Sequence, residues 1–151
     1  MNSTVVAVAL GSNLGDRAAH LDLAAARLAR VLSSITTSSW RETEPVGVGP
    51  QPLFLNGAAI GQTELSPRAL LDGMLAIERE GGRARPFTGA PRTLDLDLVL
   101  FGDQTLNEPG LTVPHPRFRE RRFVLEPLAD IAPAMIDPVT GLTIAQLLAR
   151  L

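Results

Sequence analysis

Three residue types are missing from the 151-residue chain: cysteine, lysine and tyrosine. Without cysteine there is no disulfide framework, no thiolate nucleophile and no Cys-type zinc site, which suits a cytoplasmic protein. Without lysine all 14 basic side chains are arginine. That excludes Schiff-base chemistry and the lysine-bearing phosphate motifs of P-loop proteins and protein kinases. Aromatic residues make up only 4% and the net charge is -2, so the chain has no electrostatic footprint for nucleic acid or an anionic membrane. Long apolar runs are absent too. VVAVAL at 5–10 is too short for a signal-peptide core and has no basic segment before it, and nothing approaches the ~20 apolar residues of a membrane span. Small-molecule partners are expected.

What is present suffices for one domain over residues 1–151, since 45% of the residues are hydrophobic. Residues 4–10 predict a buried strand that ends in the GSNLGD turn. Asp16 is placed to cap a helix whose apolar positions Leu21, Ala24, Ala25, Leu28 and Val31 follow helical spacing. ITTSSWRET (35–43) predicts a second strand, PVGVGPQP (45–52) a loop and LFLNGAAIGQTEL (53–65) a third strand. Ser66-Pro67 opens a second helix through Leu70, Leu71, Met74, Leu75 and Glu78 that stops at Gly81-Gly82. After a loop at 82–93 comes a fourth strand, DLDLVLF. The order β-α-β-β-α-β is the ferredoxin-like α+β arrangement, an antiparallel sheet with helices on one face. The rest predicts an extension: a turn, LTVPHPRF, a helix near 117–129 and a last helix capped by Thr143.

The fourth strand carries the sharpest signal. Alternation sends Leu94, Leu96, Leu98 and Leu100 to one face and Asp95, Asp97, Val99 and Phe101 to the other. Two carboxylates then stand side by side, roughly 7 Å apart at their Cα atoms, an arrangement that favours a cation between them. The flanking sequence is rich in arginine, with eight between Arg79 and Arg122 against six acids. Carboxylates beside arginine forks suit a magnesium-bound polyphosphate; the same spacing also fits a wetted strand face with surface ion pairs. His115, held between two prolines, suits either a phosphate contact or a turn. Phe54 and Phe123 suit the core or a stacking site, and Asn56 shares the strand face of Phe54, where it could read the edge of a flat heterocycle. The GSNLG turn reads as structure.

Taken together, ALGSNLGDR (9–17), ETEPVG (42–47), FLNGA (54–58), PRTLDLDLVLFG (91–102) and LTVPHPRFRERRFVLEPLADIAP (111–133) resemble the 6-hydroxymethyl-7,8-dihydropterin pyrophosphokinases of folate biosynthesis. The resemblance spans nearly the whole chain. It implies a monomeric, cytoplasmic ferredoxin-like enzyme with a C-terminal helical extension. Such an enzyme moves the β,γ-pyrophosphoryl group of ATP to the pterin hydroxymethyl group and releases AMP. By that resemblance Asp95 and Asp97 hold two Mg2+ ions, and Arg83 and Arg92 stabilise charge on the transferring group. Arg85, His115 and Arg121 bind ATP phosphates, with Leu98 and Thr112 near the nucleotide. Phe54 and Phe123 sandwich the pterin, whose edge is read by Asn56 and the backbone from Thr43 through Pro45 to Val46. The 82–93 loop departs from the pattern, with Thr88-Gly89-Ala90 where many members carry a tryptophan or a basic residue. Its Gly, Pro and Arg content predicts a segment that closes over bound ATP and pterin. The rival reading, a ferredoxin-like RNA-binding module, calls for exposed aromatics and a basic face, which this composition does not supply.

Overall fold

In a computed structural model, which describes residues 3–43, 53–81 and 94–151, the alternating side chains of the first strand set the layering. Strand β1 (Thr4–Ser12) sends Val6, Val8 and Leu10 to one face and the smaller Ala7 and Ala9 to the other. The large side chains pack with Leu21 and Ala24 of α1 (Arg17–Arg27) and with Leu70, Met74 and Ile77 of α2 (Pro67–Gly81). The alanines face Val124, Leu125 and Leu128 of α3 (Arg122–Ile131), with Ile144 and Leu147 of α4 (Ile144–Ala149) behind them. Helices therefore cover both faces, because the C-terminal extension closes the face that α1 and α2 leave open. Among the described residues, no helix is long and apolar enough to cross a membrane.

The sheet runs β2 (Ser33–Thr37), β4 (Phe54–Thr63), β1, β5 (Asp95–Phe101), with every neighbour antiparallel, and β3 (Arg41–Thr43) also pairs with β4. This is the expected α+β, ferredoxin-like order. The second expected strand, 35–43, is two pieces on one partner. Ser38 causes the break: its amide donates to the Ala58 carbonyl and its hydroxyl accepts from the Ala58 amide, both at 2.9 Å, so the hydroxyl stands in for a backbone acceptor. Trp40 then lies across Gly57, where a Cβ would come within 2.2 Å of its ring.

Local capping is as expected. Asp16 accepts from the Ala19 amide, Ser66 from the Ala69 amide, and Thr143 forms a reciprocal box with Gln146. Two helical details differ from the sequence pattern. In α2 the buried stripe is Leu70, Met74 and Ile77 and Leu75 is exposed, so Ile77 takes the place expected for Leu75. Helix α3 starts at Arg122 rather than near 117, because residues 118–120 form a single 3-10 turn and Arg121 is extended. The segment before them holds a hairpin, β6 (Leu106–Glu108) and β7 (Leu111–Val113), where only a turn was expected.

The largest correction lies in β5. Val8 pairs with Leu98 but Ala7 pairs with Leu100, so Val99 is an extra residue, a β-bulge. Its effect is to reverse the faces beyond it. Leu94, Leu96 and Leu98 join the α1/α2 core as expected, but Phe101 joins them, and Leu100 goes to the α3/α4 side. The bulge carbonyl accepts the His115 amide at 2.9 Å, which ties the PHP turn to the carboxylate strand.

Asp137 holds the chain between α3 and α4. It is fully buried, takes the fork of Arg119 at 2.6 and 2.9 Å, and accepts from Thr140 and the Val139 amide. Burial alone would raise its pKa, but these donors outweigh burial and hold it at about 2 against an ordinary 3.8. Because the folded pKa is depressed, the stabilisation is complete above about pH 4 and is lost as pH falls towards 2; it amounts to about 2 kcal/mol. Urea midpoints from pH 5 to 2 should show this slope in the wild type and a shallower one in Asp137→Asn. Equal slopes would remove Asp137 from the account.

Candidate active site

The face of the sheet beneath α3 is apolar at one end and polar at the other. At the apolar end Ala7, Ala58 and Leu100 lie under α3 and α4. At the other end the same faces of β1, β4 and β5 present Ala9 and Gly11, Phe54 and Asn56, and Asp95 and Asp97. Here a cleft of about 720 Å3 opens between the sheet and Arg122, Phe123, Glu126 and Pro127 of α3. Its floor depends on Gly11, which pairs with Asn56 on one side and Asp95 on the other. A Cβ there would meet Asn56 Oδ1 at 2.9 Å and the Phe54 ring at 3.6 Å. Glycine thus leaves room for both side chains to lie over β1.

One end of the cleft suits a flat, hydrogen-bonding ligand. Phe54 on β4 and Phe123 on α3 both line it, and Asn56, only 7% exposed, donates from Nδ2 to the Thr43 hydroxyl. That bond orients the amide, so its oxygen is directed over Gly11. The Arg121 guanidinium lies 5.5 Å from the centre of the Phe123 ring, a cation–π contact that joins the aromatic wall to the charged one.

The other end carries the acids. Asp95 and Asp97 are half-buried and line the cleft. A third carboxylate, Glu78 near the end of α2, accepts the Leu96 amide at 2.6 Å between them. Its pKa is pushed up to about 7, first by burial and then by the charges of Asp95 and Asp97 and a hydrogen bond with Asp95; the Leu96 amide opposes this. So much negative charge in a half-buried site favours a cation. Two carboxylates with phosphate oxygens and water are the ligand set that magnesium takes, and the donors present fit that ion. Arg117, Arg121 and Arg122, three of the four described arginines that line the same cleft, can supply forks for phosphate oxygens.

His115 stands beside this end, within electrostatic reach of Asp95 and Arg121. Its Nδ1 accepts the Arg117 amide at 3.2 Å, which assigns the proton of the neutral ring to Nε2. Burial and then the charge of Arg121 lower its pKa, with Asp95 opposing, so at neutral pH the ring offers a neutral N–H donor.

Asp95, Asp97, Thr43, Phe54, Asn56, Arg121 and Phe123 thus meet in one cleft. Leu98 and Thr112 do not line it. The Leu98 side chain is buried in the α1/α2 core, and Thr112 is exposed on the hairpin, donating to Asn107. Pro45, Val46, Arg83, Arg85 and Arg92, with the loops that carry them, lie outside the described residues. Sequence patterns missed Glu78 and Arg41. Glu78 did leave a signal, an acid in the apolar register of α2; Arg41 left none.

The family model described as 7,8-dihydro-6-hydroxymethylpterin-pyrophosphokinase (HPPK) matches residues 7–133. The 2-amino-4-hydroxy-6-hydroxymethyldihydropteridine pyrophosphokinase of Synechocystis sp. is 46% identical over 143 residues, 93% of this chain and 73% of its own length. The protein of the same name from Pseudomonas aeruginosa is 44% identical, over 88% of this chain and 83% of its own length. A solved structure of Plasmodium falciparum HPPK-DHPS with pteroate superimposes with a TM-score of 0.76 over 99% of this chain at 15% identity, and this chain spans 44% of it. That last likeness concerns the fold alone.

Proposed function

The chain belongs to the 7,8-dihydro-6-hydroxymethylpterin-pyrophosphokinase family, and on that premise we propose how its cleft carries out the reaction. The enzyme transfers the pyrophosphoryl group of ATP to the hydroxymethyl group of 6-hydroxymethyl-7,8-dihydropterin, giving the pterin diphosphate and AMP. One observation carries the assignment of roles: an aromatic slot with an oriented amide and a pair of carboxylates with arginines share a single cleft. Phe54 and Phe123 stack on the pterin, and Asn56, with the backbone from Thr43 to Val46, reads its edge. Asp95 and Asp97 hold two Mg2+ ions, which when bound neutralise polyphosphate charge. Arg121 and the His115 Nε2–H bind phosphate oxygens, with Arg85; Leu98, through its backbone, and Thr112 lie near the nucleotide outside the cleft itself. Arg83 and Arg92 meet the charge that develops on the transferring group.

The hydroxymethyl oxygen attacks the β-phosphorus, the bond from that phosphorus to the α,β-bridging oxygen breaks, and AMP leaves with the electron pair. The alcohol proton goes to solvent. A primary alcohol held in line needs placement and charge neutralisation rather than a nucleophilic side chain, so the absence of cysteine and lysine costs nothing. Residues 1–151 act as one domain, as a cytoplasmic monomer. The test is a coupled assay with ATP, Mg2+ and the pterin. AMP should form in equal amount to pterin diphosphate and only when the pterin is present. ADP as the product, or AMP formed equally without pterin, would overturn the reading.

A further inference from the structure

Arg41 has no part in the chemistry above, yet it lines the cleft. It lies on β3 directly opposite Asn56 on β4. Its fork donates from one nitrogen to Glu126 at 3.3 Å and from the other to Asp130. Those acids sit one turn apart on α3, in the same stripe as Phe123, with spacings of three and four residues along the helix. Arg122 reaches Glu126 from the helix itself at 3.7 Å. One guanidinium therefore ties the strand that carries Thr43 to the helix that carries Phe123, and its two contacts on successive turns resist both sliding and rotation of that helix.

We infer that Arg41, through Glu126 and Asp130, is a positioning residue that sets the spacing of the pterin slot. The inference rests on the assignment of Phe54, Asn56 and Phe123 to the pterin. All three brace side chains are about two-fifths exposed, and ion pairs of that kind add little to global stability. Their weight falls on geometry instead. A slot that must grip a planar ring from two elements loses contact when one element drifts by a fraction of an ångström. The phosphate end is anchored mainly elsewhere, on β5 and on the turn tied to it through the Val99 carbonyl, with Arg121 at the start of α3 the one group shared, so the brace bears far more on the pterin than on the nucleotide.

The experiment is a cycle of Arg41→Met against the paired change Glu126→Gln with Asp130→Asn, read by calorimetry with the pterin and, separately, with a non-hydrolysable ATP analogue plus Mg2+. Each arm should weaken pterin binding about five- to tenfold and the combined variant no further, because both arms cut one tie. Analogue binding and the melting temperature should stay within twofold and about 2 °C. Phe123→Ala is the control for the parent assignment. If it weakens the pterin while Arg41→Met does not, the brace is overturned and the slot stands; if neither weakens it, the slot assignment itself fails. Losses that multiply between the arms, or equal loss of both ligands with a lower melting temperature, would also overturn the brace.

Discussion

Asp95→Asn and Asp97→Asn are each expected to lower turnover by about two to three orders of magnitude, the usual cost of removing one charge-stabilising group from a transfer site. Each change keeps the side chain's shape and half-buried position but takes one charge from the pair that lines the cleft. Raised Mg2+ should recover part of the loss. Binding of Mn2+ followed by electron paramagnetic resonance, in the presence of a non-hydrolysable ATP analogue, separates metal from chemistry. Both variants should bind the ion more weakly while the fold, read by circular dichroism, stays intact. Near-normal turnover in both would overturn the metal assignment. The arginines would then carry the phosphates alone.

Phe123→Ala should weaken pterin binding by about 1–3 kcal/mol, the range for aromatic stacking on a heterocycle. Phe123 is half-buried, and part of its surface packs on the α3/α4 core, so some loss of stability will accompany the change. Titration with the pterin and with the ATP analogue decides between a stacking residue and a core residue. Loss confined to the pterin marks the slot, and equal loss of both marks the core. Truncation also removes the surface on which Arg121 rests, so a small secondary effect on the analogue is expected.

Much of this was legible in the sequence because it depends on short range. Caps at Asp16, Ser66 and Thr143 announce helices within four residues of themselves, and alternation alone placed Asp95 and Asp97 on one face. What escaped depends on partners distant in the chain. The Val99 bulge is a property of how β5 registers with β1, and the break at Ser38 needs Ala58 as its partner. Arg41 meets acids 85 and 89 positions away, contacts that exist only once α3 has crossed the sheet. Glu78 is the intermediate case. Its place in an apolar stripe flagged it, but only tertiary packing brings it to the Leu96 amide and to Asp95.

The bulge at Val99 makes β5 a strand with two reading frames. Up to Leu98 the odd-numbered positions look into the cleft; from Leu100 onward the even-numbered one looks the same way. Within seven residues the strand lines an open cleft at one end and a sealed core at the other, without a charged side chain entering that core. The extra residue at Val99 is where the alternation read from the sequence and the alternation of the paired strand part company. Loss of Val99 would leave a plain alternation in which Leu98, Leu100 and Phe101 keep their faces and their partners Val8, Ala7 and Val6, but it would remove the carbonyl that holds the His115 amide. In this strand the extra residue serves through its backbone, which reaches out of the sheet to hold the turn that carries His115.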